Sequence, residues 1–182
     1  MISAPVLAVL LERCAPRMDR TVAASIVAVE SLGDAWAIHD DLTRRSYHPP
    51  TYSRAVTLAH ELLEQGHSID LGLAQVNSVH LGAPGVSVEA MLRPCANLRA
   101  GAAIYARALA VSGDVRGALV AYNGAGATSQ AYADRVLEAR SSPFVADVLA
   151  GGSPSRRASI VLAQSRPIVV RRAVQFIAEA KP

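Results

Sequence analysis

Val22-Ala-Ala-Ser-Ile-Val-Ala-Val-Glu30-Ser-Leu-Gly33 is an almost unbroken apolar run that closes on a carboxylate and a glycine. Coiled as a helix, it puts Val22, Ile26 and Glu30 on one stripe at successive i, i+4 steps, with Ala23 and Val27 alongside. Asp19 is placed to cap its start and Gly33 to end it. Such a segment belongs to a helical core, and it carries its carboxyl to the edge of that core. Desolvation raises a carboxyl pKa, and a Glu that holds its proton near neutrality is the general acid a poor leaving group needs, a glycosidic oxygen among them. In the alternative, Glu30 is a solvated residue at a fraying helix end.

Outward from this stretch the pattern stays helical. Val6, Leu7, Leu10 and Leu11 form a first face that stops before Pro16. Residues 34–52 are polar and broken by Pro49-Pro50, a loop or short hairpin. Ser53 is read as the cap of a helix carrying Val56, Ala59, Leu62 and Leu63, which Gly66 ends; a short element follows Ser87. Asn97 is read as the cap of the clearest helix, where Leu98, Ala102, Tyr105 and Leu109 recur at helical spacing and Gly113 stops it. Val115, Ala118, Leu119 and Tyr122 make a further stripe that delivers Tyr122-Asn123 to a helix end. A helix over about 130–140 follows, and Pro143 starts another. Gly151 to Ser155 reads as a linker, and residues 156–182 as a basic, Ala/Val/Ile-rich amphipathic tail.

With 182 residues the chain fits one ordinary domain over 1–150 plus the tail over 151–182. Half of it is hydrophobic (51%) but only 4% is aromatic, which favours helices over a sandwich or barrel. A net charge of +3 without a basic, aromatic-laced stripe does not argue for nucleic acid, and no nucleic-acid partner is expected. No apolar run has the length of a membrane span, and the opening residues lack a basic leader, so a first amphipathic helix is expected there rather than a signal core. His60 and His67, seven apart, lie about 10 Å from each other along a helix, whereas zinc helices use i and i+4. His39 with Asp40 and Asp41 is the remaining ligand cluster, and it reads as a polar loop. No phosphate loop or serine elbow is present, so neither a metal nor a cofactor is expected. Cys14 and Cys95 are compatible with one bridge or with two buried thiols.

Several polar residues stand at the edges of apolar elements: Glu30-Ser31, Gln75 with Asn77, and Tyr122-Asn123. Amides and a phenol suit sugar hydroxyls and acetamido groups, and a Tyr hydroxyl can orient a carboxyl. In order along the chain, Glu30-Ser31, Gly72-Leu-Ala-Gln-Val-Asn-Ser78, Asn97-Leu-Arg-Ala-Gly-Ala102 and Ala121-Tyr-Asn-Gly124 resemble the four motifs of lytic transglycosylases with a soluble-lytic-transglycosylase domain. Tyr132 with Arg135-Val136 is similar to that family's closing element. The insertion between His39 and Gly72 resembles the branch that accompanies type IV secretion systems.

This resemblance implies a mainly α, goose-lysozyme-like orthogonal helical domain. It implies cleavage of the β-1,4 bond between N-acetylmuramic acid and N-acetylglucosamine in peptidoglycan glycan strands, with a 1,6-anhydro product. Glu30 is then the single acid and base, and Ser31, Gln75, Asn77, Tyr122 and Asn123 bind substrate or hold Glu30. Ala74 stands where relatives usually have Met, which would widen a subsite, and Asp34-Ala35 replaces a frequent Asn-Pro. Relatives commonly have cysteines near positions 14 and 95, which implies a disulfide and a periplasmic location. The tail is expected to dock secretion-system components. The rivals are a lysozyme-type hydrolase using Asp34, Asp40 or Asp41 as second carboxylate, and a non-catalytic cell-wall-binding assembly protein.

Overall fold

The computed structural model describes residues 1–124 and 126–151; the linker and tail expected over 151–182 lie, but for Gly151, outside the described residues. Among the described residues the chain is mainly α, with eight helices around a small antiparallel sheet. The order is α1 (Ala4–Cys14), α2 (Arg20–Glu30), β1 (Ile38–Asp40), β2 (Arg45–Tyr47), α3 (Tyr52–Glu64), β3 (Ile69–Leu71), β4 (Val76–Asn77), a 3-10 turn (Ser78–His80), α4 (Val88–Met91), α5 (Pro94–Ser112), α6 (Val115–Tyr122), α7 (Ser129–Ala139) and α8 (Pro143–Leu149).

The Val22–Glu30 run is indeed α2, and Asp19 caps it by accepting from the Val22 N–H at 2.9 Å. Seven consecutive residues, Val22 to Ala28, are buried, because two neighbours cover the helix from opposite sides. One side packs with Leu7 and Leu11 of α1, Leu98 of α5 and Val145 and Val148 of α8. The other side, Val22 and Ile26, packs with Tyr105, Leu119, Tyr122, Tyr132 and Val136 from α5, α6 and α7. A helix apolar all round is a central helix, and α2 holds that place here.

The sheet has the order β2-β1-β3-β4 with every pair antiparallel. Its apolar face, with Ile38, Ile69 and Leu71, rests on Ala55, Ala59 and Leu62 of α3. The segment expected as a loop or hairpin is therefore a hairpin, and its first strand pairs onward with β3. Register puts Ser46, His39, Asp70 and Asn77 in one row across the four strands.

Three local expectations are corrected. Thr51, not Ser53, caps α3: its hydroxyl accepts from the Arg54 N–H at 3.2 Å. Asn97 does not cap α5, which begins three residues earlier at Pro94, where a missing N–H does no harm. Val6 and its neighbour Val9 stay half-exposed, and α1 buries Leu7, Ala8, Leu11 and Cys14 instead. Gly113 ends α5 in a left-handed conformation (φ 79°) as expected. Cys14 and Cys95 form a disulfide that ties the end of α1 to the first turn of α5.

Candidate active site

Glu30 is the last residue of α2 and keeps a solvent-facing edge, while protein crowds its carboxyl. Tyr132, fully buried on α7, donates its hydroxyl to Glu30 Oε1 at 2.6 Å. Burial lifts the carboxyl to about 7, against the opposing pull of the Tyr132 hydrogen bond and of the Arg135 charge. Glu30 thus stands near half-protonation at neutral pH, where a group best serves first as acid and then as base.

Ser31 secures the helix end. Its backbone N–H donates to Val27 O, and its hydroxyl donates to Leu73 O at 2.9 Å and accepts from the Gly33 N–H. The wall facing this corner is the Gly72–Gln75 turn, built around Asn97. The Asn97 side chain accepts from the Ala74 N–H at 2.7 Å and donates to Leu71 O and Met91 O at 2.7 and 2.8 Å. Only glycine fits at position 72. Its φ is +73°, and a Cβ would stand 2.5 Å from Met91 O and 2.7 Å from Asn97 Nδ2.

The other expected sugar ligands divide by what they already touch. Gln75, at φ 45°, donates from Nε2 to Gly72 O at 2.8 Å and Ala37 O at 3.2 Å. Tyr122 donates to Ala74 O at 2.8 Å and stacks on Tyr132 with ring centres 6.4 Å apart. It is Tyr132, not Tyr122, that holds Glu30. Asn77 donates to both Asp70 Oδ1 (2.8 Å) and Asp41 Oδ2 (3.1 Å), and its oxygen caps the 3-10 turn. Asn123 differs: it is 2% exposed, and neither its oxygen nor its nitrogen has a partner. A buried amide with four open hydrogen-bonding valences calls for a ligand or water.

Ala74 does not open towards a sugar. It is buried, and its methyl faces Gly101 on α5, where a Cβ at 101 would come within 2.6 Å of it. The small residue lets the turn approach α5, beside a half-open space lined by Leu11, Ala15, Met18 and Tyr122.

Of the three carboxylates considered as second acids, Asp34 and Asp40 are occupied on both oxygens and Asp41 on one, its buried Oδ1 having no partner. Asp34 Oδ2 contacts His48 Nδ1 at 2.8 Å, and its Oδ1 accepts from the Trp36 N–H. Asp40 accepts from Thr43, the Leu42 N–H and His67; burial lifts its pKa, but these bonds outweigh that and leave it below the ordinary range. Asp41 accepts from Ser68 and Asn77. His39 is engaged with Ser46 at 3.0 Å. The carboxyl that feels Glu30 is Asp70, 1% exposed on β3. Burial, then the Asp41 charge and, to a lesser degree, the Glu30 charge push its pKa well above the usual carboxylate range, against the pull of the Asn77 hydrogen bond.

Sequence reasoning left Asp70, Asn97 and Arg135 out of the site and gave Tyr132 no role. The signal for Asp70 was there, an acid between Ile69 and Leu71, the same pattern that drew attention to Glu30. Nothing local distinguishes Tyr132, whose partner is 102 positions away.

Comparison with known proteins gives the chain a family. The family profile described as "Transglycosylase SLT domain" matches residues 10–141. "Protein virB1" of Agrobacterium fabrum is 35% identical over 85 residues, which are 47% of this chain and 35% of that protein. "Type IV secretion system protein virB1" of Brucella abortus and of Brucella suis is 36% identical over 116 residues, 61% of this chain and 49% of theirs. The chain thus spans a third to a half of the length of these relatives. No solved structure matches it.

Proposed function

This chain belongs to the transglycosylase SLT domain family, and we propose on that basis that it is a peptidoglycan lytic transglycosylase. It cuts the β-1,4 bond between N-acetylmuramic acid and N-acetylglucosamine and leaves a 1,6-anhydromuramoyl end. The observation that carries this reading is Glu30 itself, a carboxyl raised by burial to about 7 and held by the Tyr132 hydroxyl at the end of the central helix.

The reaction starts with Glu30 protonated. Its proton passes to the glycosidic oxygen as the C1–O bond breaks, which frees the N-acetylglucosamine as an alcohol and leaves positive charge at C1. The substrate's own acetamido oxygen shares that charge. The Glu30 carboxylate, stabilised by the Tyr132 hydroxyl, then removes the proton of the muramoyl C6 hydroxyl as its oxygen closes onto C1. Glu30 ends protonated as it began, and no water is consumed. Ordinary glycosidases need a second, ionised carboxylate to activate water or attack C1. Burial raises the Asp70 pKa well above the usual carboxylate range, which weakens it as that ionised group, and Asp34 and Asp40 are engaged by His48 and by Thr43 and His67, which favours the anhydro route over hydrolysis.

Of the sugar contacts, the open amide of Asn123 is the one we assign to substrate directly. Ser31, Gln75, Asn77 and Tyr122 already spend side-chain hydrogen bonds within the protein. We place residues 1–150 in the catalytic domain and take the segment beyond as a docking arm for secretion components. The name of the Brucella relatives, type IV secretion system protein virB1, supports a place beside a type IV secretion apparatus, and a disulfide suits the oxidising periplasm. No helix among the described residues is long and apolar enough to cross a membrane.

The test is solubilisation of purified peptidoglycan by the wild type and by Glu30→Gln, which keeps shape and removes the transferable proton. Loss of release in a variant that still folds is expected. Undiminished release by the variant overturns the assignment, and glycan binding without release by either protein indicates the non-catalytic assembly role.

A further inference from the structure

Arg135 lies one helical turn after Tyr132 on α7 and reaches back over it. Its guanidinium carbon is 5.8 Å from the centre of the Tyr132 ring. Its Nε is buried without a hydrogen-bond partner. The adjacent acid, Asp134, is taken by Arg116 at 2.7 Å and so does not neutralise it. An arginine packed on a ring with a buried donor unspent is doing something other than pairing with an acid. The ring under it belongs to the phenol that donates to Glu30.

We propose that Arg135 is a positioning residue: standing on Tyr132, it keeps that phenol against Glu30 and shelters the negative charge Glu30 carries between its two proton transfers. A buried carboxylate left alone is costly, and a cation held just behind its hydrogen-bond donor lowers that cost without forming a direct ion pair that would abolish the acid. The groups facing Glu30 make the division of labour clear. From α7 come Tyr132 and Arg135, both favouring the anion. From α6 comes Tyr122, whose hydroxyl is spent on Ala74 O and whose own proton is held by burial and by the Glu30 charge. From β3 comes Asp70, whose own pKa burial and the neighbouring carboxylates raise well above the usual range. Arg135 is thus the cation that balances Glu30 among the groups acting on it.

The consequence for turnover rests on the lytic reading, but the electrostatic claim does not, and the experiment separates them. Glutamate side-chain carboxyls are labelled with 13C in the full chain, and the Glu30 resonance, identified by its loss in Glu30→Gln, is titrated in the wild type, Arg135→Gln, Arg135→Met and Arg135→Lys. The Gln and Met variants should titrate higher, by on the order of one pH unit, and Lys should return the midpoint towards wild type. The alkaline limb of the pH profile of glycan release should move with them, and turnover should fall up to about tenfold, the rate equivalent of that shift. An unmoved Glu30 midpoint in folded Gln and Met variants overturns the proposal, even if turnover falls. A moved midpoint in a protein that releases no glycan keeps it and sinks the lytic reading instead.

Discussion

Replacing Tyr132 by Phe removes one oxygen and leaves the fully buried ring in place, so it isolates the hydrogen bond to Glu30. That bond is 2.6 Å long, and it is charge-assisted whenever Glu30 is ionised. Hydrogen bonds to charged groups contribute roughly 1.5–3 kcal/mol, and 1.36 kcal/mol corresponds to one pH unit, so Glu30 should rise from its present value of about 7 by roughly one to two pH units. Two effects on turnover follow. The protonated acid persists to higher pH, which moves the alkaline limb of the profile upward. The anion that develops during proton donation loses its support, which lowers kcat by roughly ten- to a hundredfold. The assay is the pH dependence of soluble muropeptide release under saturating peptidoglycan, with thermal unfolding recorded in parallel. An unchanged limb and unchanged kcat refute the assigned role. A drop in kcat with no movement of the limb means that the hydroxyl supports turnover by a route other than the Glu30 proton.

Further predictions concern stability. Glu30 holds its proton to about 7 in the fold against 4.5 for an ordinary Glu, so the folded state binds more protons between those values and stability falls as pH rises through them. The loss is about 3 kcal/mol at most, and urea unfolding at pH 4.5 and pH 8 should show it in the wild type and not in Glu30→Gln. Reducing the Cys14–Cys95 bond, which spans 81 positions, should destabilise the chain by about 4.5 kcal/mol on the chain-entropy account, read as a shift in the urea midpoint with and without reductant. Asn97→Ala strips three buried hydrogen bonds from the Gly72–Gln75 turn and should cost at least about 3 kcal/mol, at about 1 kcal/mol or more each. A loss in the Asn97 variant no larger than that of an exposed Ala substitution contradicts its role in building the wall.

The helices were legible in the sequence where one residue type has one local job. Asp19 caps, Gly113 turns left-handed and Pro143 opens a helix wherever the rest of the chain goes. Asn97 misled because Asn is a good cap, whereas here it sits inside the first turn of α5 and spends its amide on two other segments. The strands β3 and β4, three and two residues long, are too short for alternation to show. Glu30 was visible because a carboxyl in an apolar run is anomalous by itself. The residues around it were visible in identity more than in role: Tyr122 and Tyr132 differ in which reaches Glu30 only because α7 packs across α2. The amides Gln75 and Asn77 look like sugar ligands in sequence but hold the turn and the acid pair in the fold.

The measurement that bears most directly on the central claim is mass spectrometry of the muropeptides that wild type and Glu30→Gln release from purified peptidoglycan. Products one water lighter than reducing sugars, formed by the wild type and absent with Glu30→Gln, are the expected result. Reducing ends from the wild type would contradict the single-carboxyl route and require an ionised second acid, with Asp70 the first to be replaced.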